Sequence, residues 1–306
     1  MTKQLDQQAL SAAIAKAEKI IAFNIADDTY NMESFKNIPS IAVAWAHLVN
    51  SFYANVEVDK ETTTNAIAKI NEAYNEEKHT KTMQDIEVSI NENSTEEDKA
   101  RALLKMYMIR ARVDLVAPLI AEIYLLGSNL KEVSPEYFNF TKGKVNEHYK
   151  KELILTSLDE YIDKAEKIIG YSLKNSLSAD EYEYINRFIM GAWHFLKVQS
   201  LGFGSPNVEY KELSHHARAI NDEYNSKKHT TPLERVELTA NENSDELDKA
   251  CVLLKHYMLH HDPLLAKEMS EILYRLLKTE GTITSIEELE NITDYINYRY
   301  QNEFEE

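Results

Sequence analysis

The densest group of side chains able to bind a metal or move a proton is His256-x-x-x-His260-His261-Asp262. Residues four apart share a helix face, so His256 and His260 could hold a metal together. No third ligand stands nearby in the sequence. Lys78-His79-Thr80 and Lys228-His229-Thr230 are candidates of another kind. A histidine just past a helix can complement the negative end of the helix dipole, or, as one of a matched pair, contact a partner. Glu76-x-x-His79 has the spacing of di-iron bundles, but Ser226 occupies the matching position before His229 and breaks the required symmetry.

His261-Asp262 is similar to the adjacent His-Asp pair of the metal-dependent phosphohydrolases. With His229 upstream and Asp294 downstream, that resemblance implies a metal-dependent hydrolase of His-Asp type. Asp262 has a competing role as the cap before Pro263. No Gly-rich phosphate loop, nucleophile elbow or zinc-protease histidine pair occurs. The expectation is therefore no catalytic set, no cofactor and no metal, with His256 and His260 as outside metal candidates. The expected binding residues are His79, His229, Lys78, Lys228, Asn91 and Asn241.

All six form part of a pattern that the chain states twice. Ile70-Asn71-x-x-Tyr74-Asn75-x-x-Lys78-His79-Thr80 returns as Ile220-Asn221-x-x-Tyr224-Asn225-x-x-Lys228-His229-Thr230. Asn91-Glu92-Asn93-Ser94, followed by Asp98-Lys99-Ala100, Leu103-Leu104-Lys105 and Tyr107-Met108, returns from Asn241 to Met258. Lys16-Ala17-Glu18-Lys19-Ile20-Ile21 matches Lys164-Ala165-Glu166-Lys167-Ile168-Ile169, and Ala44-Trp45 matches Ala192-Trp193. Self-similarity at one long period marks an internal duplication. Residues 1–152 and 153–306 are expected to be two similar, multi-helix, bundle-like halves packed together.

The elements that must position these residues are helices. The 306 residues include only 7 Gly and 6 Pro, too few for the turns of a many-stranded protein, while 43% hydrophobic and 28% charged residues suit a solvated all-α fold with a core. A first helix is expected over about 5–23, and the tryptophans are expected in the core of the second helix of each half. After Lys-His-Thr a short helix should run to Asn91 or Asn241, each a left-handed C-terminal residue, and Ser94 or Ser244 should cap the next helix. Ala111 and His261 extend the apolar stripe of that helix, Pro118 and Pro263 open the one after it, and Ser157, Ser178 and Ser285 begin capping boxes. Around 15–75, Ser34-Phe35, Ala44 and Ala66-Ile67 are similar to the three-helix modules repeated in Gram-positive surface proteins.

Charge and cysteine content narrow the function. A net charge of −17, with acids dispersed among lysines, gives no basic face for phosphates, so direct nucleic-acid binding is not expected. The single Cys251 excludes an internal disulfide and fits the cytoplasm. No stretch reads as a signal or membrane span. Eighteen Tyr against 9 Phe favour surfaces that are half-buried and still hydrogen-bond, as interfaces are. The leading expectation is a cytoplasmic, non-enzymatic interaction protein whose two halves bind a protein partner, with a homo-oligomer left open. The alternative is an acidic, phage-type inhibitor that blocks a nucleic-acid-binding enzyme by mimicry.

Overall fold

The computed structural model describes residues 7–26, 37–53, 59–88, 90–91, 93–127, 133–175, 178–205, 207–279 and 285–304. Among these the regular elements are helical and none is a strand. No described helix is long and apolar enough to cross a membrane. The chain forms two compact units, residues 1–150 and 151–306.

Unit 1 contains α1 (Gln7–Ala26), α2 (Ile38–Tyr53), α3 (Lys60–Ala73), α4 (Glu96–Ile109) and α5 (Val113–Gly127). α2 lies against α1, α3 and α5, and α4 pairs with α5. The small residues Ala13, Ala17 and Ala22 let α1 approach closely, and Trp45 of α2 is fully buried among Ile21, Leu48 and their neighbours. α6 (Pro135–Thr156) carries the chain across the boundary between the units.

Unit 2 contains α7 (Leu158–Lys174), α8 (Ala179–Tyr184), α9 (Gly191–Ser200), α10 (Tyr210–Glu223), α11 (Glu246–Leu259), α12 (Pro263–Thr279) and α13 (Ile286–Phe304). α9 lies against α7, α10 and α12, and α11 against α12 and α13. Between α8 and α9, residues Ile185–Met190 widen into a π-helical turn, a local overfilling of the helix that α2 does not have. Trp193 of α9 is fully buried.

The same polar bonds recur in both units. Lys16 Nζ donates to Asn71 Oδ1 at 2.7 Å and Lys164 Nζ to Asn221 Oδ1 at 3.0 Å, each tying the first helix of its unit to the helix before Lys-His-Thr. Lys99 and Asn146 meet at 2.8 Å, Lys249 and Asn297 at 2.6 Å.

Several local expectations are corrected. The segment after Lys-His-Thr is an irregular strap in unit 1, and in unit 2 it has only a single 3-10 turn at Leu233–Arg235. Tertiary burial sets its course: Met83 and Ile86, like Leu233 and Val236, are inside, and Lys255 Nζ donates to the Val236 carbonyl at 2.7 Å, as Lys105 does to that of Ile86. The strap lies so near α7 that a Cβ on Gly170 would come within 3.1 Å of Val236. Ser94 and Ser244 are not the caps of α4 and α11. Thr95 is, in a reciprocal capping box with Asp98, and Asp245 takes that place in unit 2.

Ala111 and His261 do not continue the apolar stripe. Both are exposed and adopt positive φ, 53° and 58°, ending their helices with a left-handed residue. α5 begins at Val113, so Pro118 lies inside it instead of opening it. Ser157 makes no side-chain cap bond: its backbone, at φ −101° and ψ 11°, lacks the extended conformation of a capping residue, and its N–H still bonds the carbonyls of Leu153 and Ile154 as α6 gives way to α7. Ser178 and Ser285 do accept from Glu181 and Glu288 N–H.

Candidate functional site

His79 and His229 are almost wholly enclosed, 5% and 2% exposed. Each Nδ1 accepts the backbone N–H of the residue four earlier: Asn75 at 2.9 Å, Asn225 at 3.0 Å. The histidine N–H in turn donates to that residue's carbonyl, at 2.9 and 2.8 Å. An accepting Nδ1 carries no proton, so the imidazole is neutral with its proton on Nε2. Burial, reinforced by the adjacent Lys78 or Lys228, pushes both histidines below their usual pKa. This corrects the expectation of a cation at a helix end: the ring is a neutral plug that closes the turn after α3 or α10.

The aromatic surroundings match. His79 meets Phe23 edge-on at 5.4 Å and Tyr74 at 5.6 Å, and His229 meets Tyr171 at 5.4 Å and Tyr224 at 5.9 Å. Lys78 and Lys228 extend over Phe23 and Tyr171, 4.5 and 4.8 Å from the ring centres. In unit 2 Tyr171, Lys228 and His229 border an open cavity of about 390 Å3, with Asn175, Glu181, Tyr184 and Glu223 on its other walls.

Asn91 and Asn241 have no left-handed backbone. Their side-chain oxygens accept from Asn93 and Asn243 N–H at 2.8 and 2.9 Å, and their own N–H groups donate to Ser94 and Ser244 Oγ. They form exposed Asx turns, the local bond that asparagine offers in place of a helix end.

The other histidine group is not assembled for metal chemistry. His256 and His260 share a face, their ring centres 4.1 Å apart, and His256 Nε2 lies 3.4 Å from Glu303 Oε2. Among the described residues no three His, Cys, Asp or Glu side chains gather as a metal site. Of the His-Asp set, His229 is the buried plug, His261 is exposed on its turn, and Asp262 Oδ1 accepts from Leu265 N–H at 3.0 Å as the cap of α12.

A further site was not legible as one from the sequence. Trp45 Nε1 donates to Glu18 Oε1 at 3.1 Å, and Trp193 Nε1 donates to Glu166 Oε1 at 3.0 Å. The signal lay in two repeated fragments, Lys-Ala-Glu-Lys-Ile-Ile and Ala-Trp, but only the tryptophan read as core and neither fragment by itself places the glutamate beside it. Around Glu18 a cavity of about 160 Å3 opens between Trp45, Val49, Phe52, Met83 and Met108. Burial raises the Glu18 pKa, and the indole N–H only partly offsets this. A half-buried carboxylate in a cavity of mixed lining, with Trp45, Phe52 and two methionines beside Ser11 and Gln84, can take a cation or share a proton.

Comparison with protein-family models, with curated proteins and with solved structures returns no match.

Proposed function

We propose that the chain is a non-enzymatic, cytoplasmic binding protein, formed by internal duplication, whose two halves contact a protein partner through non-equivalent cavities. One observation carries this reading. The two units keep the same internal bonds at matching positions, Trp-Glu, Asn-His and two Lys-Asn pairs, while open cavities lie at different places on that frame, beside Glu18 and Trp45 in unit 1 and beside Tyr171 and His229 in unit 2. A frame held constant beneath a varied surface suits recognition. Catalysis would require a convergent set of reactive groups, and of the His-Asp candidates His229 serves as a plug, His261 ends a helix and Asp262 caps the next.

The cavity bordered by Tyr171, Tyr184 and Lys228 offers what interface centres favour, aromatic area with a polar tip and a cation at the edge. A pull-down from the native host with the full chain and with a Tyr184→Ala/Lys228→Glu variant tests it. A partner kept by the wild type and lost by the folded variant is expected. Equal retention by both would remove this cavity from the binding surface.

The net charge of −17 favours a second reading, the acidic inhibitor of a nucleic-acid-binding enzyme. A complex with a basic nuclease that dissociates steeply as salt is raised would select it.

A further inference from the structure

In unit 2 the Glu166 carboxylate has two partners inside the bundle, the Trp193 indole N–H at 3.0 Å and the Lys197 ammonium at 3.6 Å. Lys197 is 8% exposed, so its alkyl stem is out of water along with its charge. A buried ion of this kind is tolerated when its counter-ion is buried beside it. Unit 1 has the same Trp-Glu bond, but Val49 stands at the lysine position, four residues after the tryptophan. Among the described residues no lysine or arginine pairs with Glu18. Where a lysine stem would run, the cavity of about 160 Å3 is open beside Val49 and reaches Glu18. A single water needs only ~10–15 Å3 on the same measure, so there is room for an alkyl chain.

We propose that this cavity binds an aliphatic primary ammonium group, with Glu18 as its counter-ion and Trp45, Val49, Phe52 and Met83 around its chain. Lys197 is the covalently attached equivalent of that ligand in unit 2. A carboxylate gives a charge-assisted bond to an ammonium, the aromatic rings favour the adjacent positive charge, and methionines adapt to an unbranched chain. The raised pKa of Glu18 agrees with a carboxylate awaiting a cation, since a bound ammonium would bring it back down. The ammonium belongs either to a free alkylamine or to a lysine side chain of another protein. The inference does not depend on the protein-binding reading above.

The two tryptophans supply one reporter per unit. The full chain is titrated with n-butylammonium and, separately, with Nα-acetyl-lysine methylamide, with 1-butanol as the neutral control, while the indole N–H resonances are followed by NMR. The Trp45 resonance is expected to shift and saturate with at least one amine and not with butanol, while that of Trp193 stays. Tighter binding of butylammonium assigns the site to free amines, and tighter binding of the lysine derivative assigns it to a protein side chain. Glu18→Gln should weaken binding by about tenfold or more. Val49→Lys should abolish it by filling the cavity from within, and Lys197→Val should open a second site reported by Trp193. If either lysine-position variant fails to fold, judged by circular dichroism, Glu18→Gln decides. An unmoved Trp45 resonance, an equal response to butanol, or undiminished binding by Glu18→Gln would overturn the proposal.

Discussion

His79 and Asn75 hold one another in both directions, backbone N–H to ring Nδ1 and backbone N–H to carbonyl, and His229 repeats the arrangement with Asn225. The bond to Nδ1 exists only while the ring is unprotonated. It therefore links the closure of two turns to pH.

The sign follows from the lowered pKa of both histidines. The unfolded chain takes up protons near pH 6.5 and the folded chain only below that, so stability is fully present above about 6.5 and is lost as pH falls through the folded values. His79→Phe/His229→Phe should be less stable at pH 7.5, by roughly 1–3 kcal/mol per site for the N–H left unpaired. It should also lose less on going to pH 5.5 than the wild type does. His194, His216 and His256, likewise lowered, keep some slope in both proteins. Denaturant midpoints at the two pH values check this, and equal losses in both proteins would count against it.

Glu18 and Glu166 should respond oppositely to the same substitution. The raised pKa of Glu18 means that its contribution to stability is fully present below the unfolded value of about 4.5 and is lost as pH rises through the folded value. Glu18→Gln, which can still accept from the Trp45 indole, should match or exceed the wild-type melting temperature at pH 7 and lose that advantage near pH 4. Glu166→Gln should lower it at pH 7, because Lys197 would remain buried without its counter-ion. Parallel shifts for the two variants would show that the two units treat this carboxylate alike.

The corrected caps give a direct comparison. Thr95→Ala and Asp245→Ala should each cost about 1 kcal/mol, the usual loss for an N-cap. Ser94→Ala and Ser244→Ala remove only an exposed turn bond, which water can replace, and should cost clearly less. Chemical denaturation of the four variants would reverse the assignment if the serine changes proved the costlier.

Ala111 and His261 occupy the left-handed region, which a Cβ makes unfavourable. Ala111→Gly and His261→Gly should therefore each stabilise the chain, by about 1 kcal/mol at most. A lower melting temperature for His261→Gly would reveal a contact by that exposed ring.

The sequence by itself determined the helical class, the burial of Trp45 and Trp193, and the stripes Leu103-Leu104-Tyr107-Met108 and Leu253-Leu254-Tyr257-Met258. These depend on a 3.6-residue period and on which side chains leave water, both local properties. Tertiary structure decided the strap after Lys-His-Thr, where burial of Met83 and Ile86 and the reach of Lys105 to a carbonyl override helical propensity. It also decided that His79 is a neutral plug, because only the fold encloses it between Phe23 and Tyr74. The cavity at Glu18 belongs to the same class. Its walls come from α1, α2, the strap and α4, and the difference between Val49 and Lys197 acquires meaning only where a carboxylate from a separate helix lies beside that position.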